Sequence, residues 1–153
     1  QPPANDLLAK PAPDFPLPLA DGGEFTLSKK GPTDVIVLDF WATWCGPCRQ
    51  AMPIIDRVTK SFADKGVRLY TVNLQETVAE VQTFLKEQGL DVNVAMDKDG
   101  AVAGKYKADS IPETVIIGRD GTVQVVHIGM SPALEQELTR ELASLVKGEN
   151  LAK

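Results

Sequence analysis

The only two cysteines of the chain stand three positions apart, in the segment Cys45-Gly46-Pro47-Cys48. Two residues with this spacing at the start of a helix lie on one turn, which is close enough for a disulfide bond. Such a bond closes a very small loop and therefore removes little entropy from the unfolded chain. The spacing favours a disulfide that is made and broken, as in thiol–disulfide exchange, over a permanent crosslink.

The position of Cys45 predicts which sulfur is reactive. Cys45 follows an apolar, strand-like run and precedes a helical pattern. The free N–H groups and the positive dipole end of a helix N-terminus stabilise a thiolate. Pro47 suits the first helical turn, where no N–H is needed, and Gly46 allows a partner to approach closely. We therefore expect Cys45 to be the accessible, activated thiol, with Cys48 behind it.

Metal binding is a weaker interpretation. A structural zinc site needs about four ligands, and the chain supplies two cysteines and one histidine, His127. His127 lies in a strand pattern and is interpreted as a residue of a sheet face. The segment DKDG (97–100) begins like a calcium loop, but Ala101 stands where the third ligand should be. We expect a turn there and no metal site.

The elements that position the cysteines alternate between strand and helix. Apolar and alternating runs predict strands at residues 25–27, 35–40, 67–73, 92–96, 114–117 and 123–128. Apolar spacings of three and four predict helices at 45–65, 78–88, 101–107 and 131–147, the first kinked at Pro53 and the last capped by Ser131. This order predicts an α/β sandwich with a mixed sheet.

Length and composition indicate one domain, which we place at residues 21–150. The chain has 153 residues, and its net charge of −5 without a basic cluster argues against a nucleic-acid partner. Residues 1–20 are a proline-rich leader, interpreted as an extended linker. The leader lacks a signal-peptide pattern. Residue 1 is Gln, so an export signal or a membrane anchor could have been removed.

Several segments together resemble the thioredoxin superfamily. DFWATWCGPCRQAMPIID (39–56) resembles its active-site segment, SIPETVII (110–117) the segment with the cis-proline, here Pro112, and VHIGM (126–130) the loop with a glycine, here Gly129. The resemblance covers about residues 33–147, with an insertion near 75–97. PAPDFPLPLADGGEFTLSKKGP (11–32) resembles the leader of the exported TlpA/ResA-like thiol–disulfide oxidoreductases.

The resemblance implies a thioredoxin fold: a three-layer α/β/α sandwich with a mixed central sheet, an N-terminal extension and a central insertion. It implies a thiol–disulfide oxidoreductase whose redox group is the Cys45–Cys48 disulfide, without another cofactor. The Gly-Pro pair between the cysteines resembles that of reducing members. We accordingly expect a periplasmic or extracytoplasmic monomer. Its partners would be protein clients and an upstream dithiol electron donor, which could be embedded in the membrane.

Asp39 is the expected proton acceptor for Cys48. A carboxylate desolvated in a central strand has a raised pKa, which suits proton transfer near neutrality. The alternative is a buried acid satisfied by backbone or hydroxyl groups. Ordinary thioredoxins carry a lysine near this acid, where the chain has Thr71. Many exported members carry an acid three residues after the second cysteine, where the chain has Ala51.

An apolar rim around Cys45 is the expected client-binding surface. In such folds the residue before the cis-proline pairs its backbone with an extended client chain. Trp41 is interpreted as a packing residue beneath the site. The rim residues are Trp44, Gly46, Pro47, Ile111, Pro112 and Gly129.

Two other functions remain open. The leader also resembles that of thiol peroxidases of the AhpC/TSA type, but these carry a threonine three residues before the attacking cysteine, where this chain has Ala42. The other alternative is a thioredoxin-fold binding module without redox activity.

Overall fold

A five-stranded mixed sheet forms the centre of the structure, a computed structural model that describes residues 6–152. The strands of the structure are β1 (Pro16–Pro18), β2 (Glu24–Thr26), β3 (Val35–Trp41), β4 (Val67–Leu74), β5 (Asn93–Asp97), β6 (Glu113–Ile117) and β7 (Val123–Ile128). The strand order in the central sheet is β5-β4-β3-β6-β7, with β3, β4 and β5 parallel and β6 and β7 antiparallel to their neighbours. β1 and β2 form a separate antiparallel pair.

Four α-helices accompany the strands within residues 6–152: α1 (Gly46–Ser61), α2 (Val78–Gln88), α3 (Ala101–Lys105) and α4 (Leu134–Leu145). The helix predicted for residues 45–65 ends earlier, and a short 3-10 turn, Ala63–Lys65, follows it. Pro53 lies inside α1, which continues past it. None of the helices among the described residues combines the length and the apolar character that a membrane span requires.

The sheet carries one layer on each face, which confirms the predicted three-layer sandwich. Alternate residues of β3 point to opposite faces. Val35 and Val37 pack in one cluster with Ile55 of α1 and Leu138 of α4. Trp41 lies on the same face, in a cluster that also contains residues of α1 and α2. On the other face, the core is closed by residues of α3 and by the N-terminal segment and hairpin.

The N-terminal segment differs from the linker that its prolines predict. Leu7, Phe15 and Leu17 are buried in the core on the α3 face of the sheet. The N–H of Ala9 donates to the Val123 carbonyl oxygen at 2.8 Å. The segment alternates exposed prolines with buried apolar side chains, and these side chains cover a face of the sheet that would otherwise meet water. Residues 7–19 therefore belong to the folded unit.

The last helix starts later than its capping pattern predicts. Ser131 was expected as the N-cap, but α4 begins at Leu134 and the N-cap is Ala133. The Ser131 hydroxyl instead accepts a hydrogen bond from the Ala133 N–H at 3.1 Å, within the turn before the helix. The segment 75–97, marked as an insertion by the resemblance, contains α2 and the edge strand β5.

Candidate active site

Cys45 and Cys48 form a disulfide at the N-terminus of α1, with their Cα atoms 5.3 Å apart. Cys45 is the N-cap residue, and its sulfur accepts a hydrogen bond from the Cys48 N–H at 3.2 Å. The same contact would stabilise a Cys45 thiolate in the reduced protein. Cys45 is 4% exposed and Cys48 is 1% exposed. Both cysteines are thus buried in the disulfide form, Cys45 slightly less than Cys48, and the accessibility of the Cys45 thiol stays a prediction.

The segment before β6 approaches the disulfide at Cys45. The Cys45 sulfur lies 3.7 Å from the Ile111 carbonyl oxygen. The Ile111–Pro112 peptide bond is cis, and the Pro112 carbonyl oxygen accepts a hydrogen bond from the Gly129 N–H at 2.8 Å. Gly129 has a φ of 83°, a conformation that favours glycine. The fold thus brings Ile111, Pro112 and Gly129 together beside Cys45.

The remaining rim residues lie on the helix side of the disulfide. Trp44 is 72% exposed, which is unusual for a side chain of its size. Gly46 and Pro47 are exposed as well. Trp41, by contrast, is fully buried and packs against Phe84 with ring centroids 5.1 Å apart. The two tryptophans therefore occupy different environments, one in the core beneath the disulfide and one facing solvent.

Asp39 is a buried carboxyl without a partner. It is 1% exposed, and neither oxygen has a hydrogen-bonding partner in the described structure. Desolvation raises its pKa to about 8. Asp39 lies opposite Thr71 in the register of β3 and β4, but the Thr71 hydroxyl donates to the Asn93 carbonyl oxygen. In the described structure, therefore, neither backbone nor hydroxyl groups form hydrogen bonds with the Asp39 carboxyl, contrary to the alternative interpretation.

Asp39 and the cysteines share one side of the sheet. Val37, Asp39 and Trp41 are every second residue of β3, so their side chains point to the same face of the sheet. Val37 and Trp41 belong to the clusters that pack against α1. Cys48 packs in the same cluster as Trp41. The carboxyl therefore lies in the layer between β3 and α1, where Cys48 also lies.

A second buried acid, Glu113, lies directly after Pro112 and is not among the site residues that the sequence predicts. Glu113 has no exposed surface, and both of its oxygens lack a hydrogen-bonding partner in the described structure. Burial, with a further contribution from the charge of Asp109, raises its pKa to about 7. Glu113 pairs with Phe40, so it faces the side of the sheet opposite Asp39. The signal was an acid at the head of the apolar run ETVII (113–117).

His127 belongs to the packing of the fold. Its Nε2 lies 2.8 Å from Glu141 Oε1, which links β7 to α4. Within residues 6–152, no three side chains of His, Cys, Asp or Glu come together in a way that could hold a metal ion. DKDG comprises the last residue of β5, Asp97, and the turn before α3, and the Asp97 carboxylate accepts hydrogen bonds from the Val102 and Ala103 N–H groups.

Comparisons with known proteins agree with this geometry. Residues 8–126 match the model of the AhpC/TSA family. The chain is 34% identical to thioredoxin-like protein YneN of Bacillus subtilis (strain 168) over 135 residues, 86% of this chain and 77% of that protein. It is 31% identical to the thiol-disulfide oxidoreductase ResA of the same organism over 137 residues, 89% of this chain and 74% of that protein.

A comparison with solved structures also finds a similar protein. The crystal structure of a thiol:disulfide interchange protein DsbE from Chlorobium tepidum superposes with a TM-score of 0.83 at 33% identity. The alignment covers 91% of this chain and 97% of that one.

Proposed function

Because the chain belongs to the AhpC/TSA family and is a thiol–disulfide oxidoreductase of the ResA/DsbE type, we propose that it reduces disulfides in exported client proteins. The observation that carries the proposal is the placement of the disulfide. Cys45 caps α1, and Cys48 lies behind it in the core. This arrangement supports one attacking sulfur and one resolving sulfur.

Client reduction proceeds in two exchanges. In the reduced protein, the Cys45 thiolate attacks one sulfur of a client disulfide, and the other client sulfur leaves as a thiolate. Cys48 then loses its proton and attacks Cys45. The second client sulfur leaves, and the Cys45–Cys48 disulfide forms. Two electrons pass to the client, whose sulfurs take up two protons.

Asp39 is the proposed acceptor of the Cys48 proton. A carboxyl with a pKa near 8 changes its protonation close to neutral pH, which is the range a general base requires. Its place between β3 and α1, without a competing hydrogen-bonding partner in the described structure, supports this role. Transfer to Asp39 through a bridging water is part of the proposal.

The proposed client site is the rim around Cys45. The Ile111 carbonyl oxygen beside the Cys45 sulfur would pair with the backbone of an extended client chain. The exposed Trp44 indole would cover apolar client side chains on the other side. Gly46, Pro47, Pro112 and Gly129 complete the rim.

We further propose an extracytoplasmic, periplasmic location and a monomeric state. Each turnover leaves the Cys45–Cys48 disulfide oxidised, so an upstream dithiol donor must return two electrons. The relation to ResA and DsbE supports such an assignment. Anchoring to the membrane belongs to the same proposal.

A thiol peroxidase is the second candidate, because the family match names AhpC/TSA. Ala42 argues against it, since a buried methyl group stands where a peroxidase hydroxyl would activate the peroxide. Consumption of hydrogen peroxide by the reduced protein at a rate that exceeds exchange with a disulfide would favour the peroxidase.

The order of attack is tested by trapping. Cys48→Ser should retain a client on Cys45 as a mixed disulfide, because the resolving sulfur is missing. Cys45→Ser should retain none. Non-reducing gels of the two variants after incubation with oxidised extracytoplasmic proteins measure the difference. Equal trapping by both variants would contradict the assignment of Cys45 as the attacking sulfur.

A further inference from the structure

A single carboxylate holds the loop that leads into Cys45. The Thr43 N–H donates to Glu76 Oε1 at 2.8 Å, and the Thr43 hydroxyl donates to Glu76 Oε2 at 2.5 Å. The Asn73 side-chain amide donates to Glu76 Oε1 at 2.8 Å. Three donors therefore converge on one half-buried acid. Hydrogen bonds to an ionised acceptor are the stronger kind.

The sheet in turn holds Glu76. Asn73 is fully buried on β4 and pairs in register with Trp41, the last residue of β3. Gln75 has a φ of 60°, a left-handed conformation that non-glycine residues rarely adopt, and its N–H donates to the Asp97 carbonyl oxygen at 3.1 Å. The Glu76 carboxylate therefore links the end of β4 to the loop after β3 through hydrogen bonds to Asn73 and Thr43.

In the chain, Trp44 lies between Thr43, which binds Glu76, and Cys45, which carries the attacking sulfur. Cys45 has its own contacts, to the Cys48 N–H and near the Ile111 carbonyl oxygen. For Trp44 no side-chain hydrogen bond is found in the described structure, and its indole is largely exposed. The Trp44 backbone is therefore held on one side by Thr43, and so by Glu76, and on the other side by Cys45, and it sets the place on the surface from which the indole projects.

From this geometry we infer that Glu76 is a positioning residue for client recognition, which acts through Thr43 on Trp44. The inference rests on the proposed function, because it assigns to Glu76 the presentation of the client-binding rim. Removal of Glu76 should weaken the binding of a polypeptide disulfide. It should leave the thiol chemistry of Cys45 nearly unchanged.

The test compares two probes that release the same chromophore. One is a short extended peptide whose single cysteine carries a thionitrobenzoate group, and the other is dithiobis-nitrobenzoate, which has no peptide. Reduced protein is mixed with increasing concentrations of the peptide, and the release of thionitrobenzoate from the peptide is followed by stopped flow. The dependence of this rate on peptide concentration gives the half-saturating concentration and the limiting rate separately. For Glu76→Ala we expect the half-saturating peptide concentration to rise about tenfold, the scale of one lost hydrogen-bonding group. The limiting rate and the reaction with the small probe should change less than about twofold.

Glu76→Gln and Glu80→Gln provide the matched comparisons. Glu76→Gln keeps an acceptor for the Thr43 N–H and should raise the half-saturating concentration less than Glu76→Ala. Glu80 lies four residues later and accepts from the Thr77 N–H and hydroxyl, with no hydrogen bond to Thr43. Glu80→Gln should leave both probes unaffected.

A double mutant tests the route through Thr43. If Glu76 acts through Thr43, adding Thr43→Val to Glu76→Ala should produce no further rise. The inference is overturned if the peptide binds Glu76→Ala as well as wild type. It is also overturned if Glu80→Gln weakens binding equally, or if the small probe slows by the same factor as the peptide. Wild-type protein that reacts with neither probe would overturn the proposed function itself, and this inference with it.

Discussion

At the scale of single residues, two buried carboxyls without hydrogen-bonding partners among residues 6–152 lie on opposite faces of one sheet. Asp39 faces α1 and the cysteines, and Glu113 faces the side that α3 covers. Burial raises the pKa of Asp39 to about 8 and that of Glu113 to about 7. Each acid binds a proton more tightly in the folded chain than in the unfolded chain. Each therefore lowers the free energy of unfolding as the pH rises toward its folded pKa.

Replacement of Asp39 should make the oxidised protein more stable, with an effect that depends on pH. The unfolded carboxyl titrates near pH ~4 and the folded one at about 8, so the stability of wild type falls between these values. Asp39→Asn should gain several kcal/mol above pH 8, because each unit between the unfolded and folded pKa values is worth about 1.4 kcal/mol. Near pH 4 and below it should differ little from wild type. Urea denaturation across this pH range measures the difference, and Asp64→Asn, at an exposed acid, is the control.

The same variant should slow the second exchange. Cys48 would lose its base, so release of client from the mixed disulfide should slow, while alkylation of Cys45 changes little. Stopped-flow exchange and alkylation rates measure the two steps. An Asp39→Asn variant that is less stable and equally fast would make Asp39 a structural residue only.

At the scale of elements, a largely buried pair links α4 to the edge strand of the sheet. His127 on β7 contacts both oxygens of Glu141 on α4, at 2.8 and 3.0 Å. The hydrogen bond to Glu141 raises the pKa of His127 against the effect of burial, and the charges of Glu141 and Glu137 add to it. The exposed pair Arg57–Glu135 joins α1 to α4 at 2.6 Å, but solvent screens it.

The His127–Glu141 pair should stabilise the fold more at acidic than at alkaline pH. Because the folded pKa of His127 lies above its unfolded value, its contribution is complete below pH ~6.5 and is lost as the pH rises through the folded pKa. His127→Gln should cost about 1 kcal/mol at acidic pH and less at alkaline pH. Urea denaturation at about pH 5.5 and pH 9 tests this. Arg57→Gln should show a small loss without that pH dependence, and an equal loss for His127→Gln at both pH values would contradict the prediction.

At the scale of the whole molecule, the N-terminal segment closes one face of the sandwich. Phe15 packs edge-on against Phe25 and Tyr106, with ring centroids 5.7 and 5.9 Å apart. The Tyr106 hydroxyl donates to the Pro13 carbonyl oxygen at 2.5 Å. The prolines keep the segment extended, which lets alternate side chains point into the core. The segment therefore contributes to the stability of the domain.

Truncation of Phe15 should destabilise the entire fold. Phe15 is 1% exposed, and removal of a buried phenyl ring costs about 3–5 kcal/mol. Chemical denaturation of Phe15→Ala against wild type measures this loss. Pro18→Ala, at an exposed position of the same N-terminal segment, should stay within about 0.5 kcal/mol. A Phe15→Ala protein as stable as wild type would show that the segment packs without supporting the core.

The sequence by itself determined the features that depend on neighbouring residues. The strand at Val35 and the helix from Val78 to Gln88 were predicted because apolar periodicity is a local property. The disulfide at the helix N-terminus was predicted for the same reason, since three-residue spacing places both sulfurs on one turn. The start of α4 differs from its prediction, because the Ser131 hydroxyl accepts a hydrogen bond from the Ala133 N–H within a turn that precedes the helix.

Only the tertiary structure decided which distant residues meet. Thr71 lies opposite Asp39 without bonding to it, because strand register and side-chain rotation are set by the whole sheet. Glu76 reaches Thr43 across 33 residues of chain, and Leu7, Phe15 and Leu17 are buried because they cover an apolar face of the sheet. Periodicity reports which face of an element is apolar. It does not report which other element covers that face, because that choice depends on the burial of the whole core.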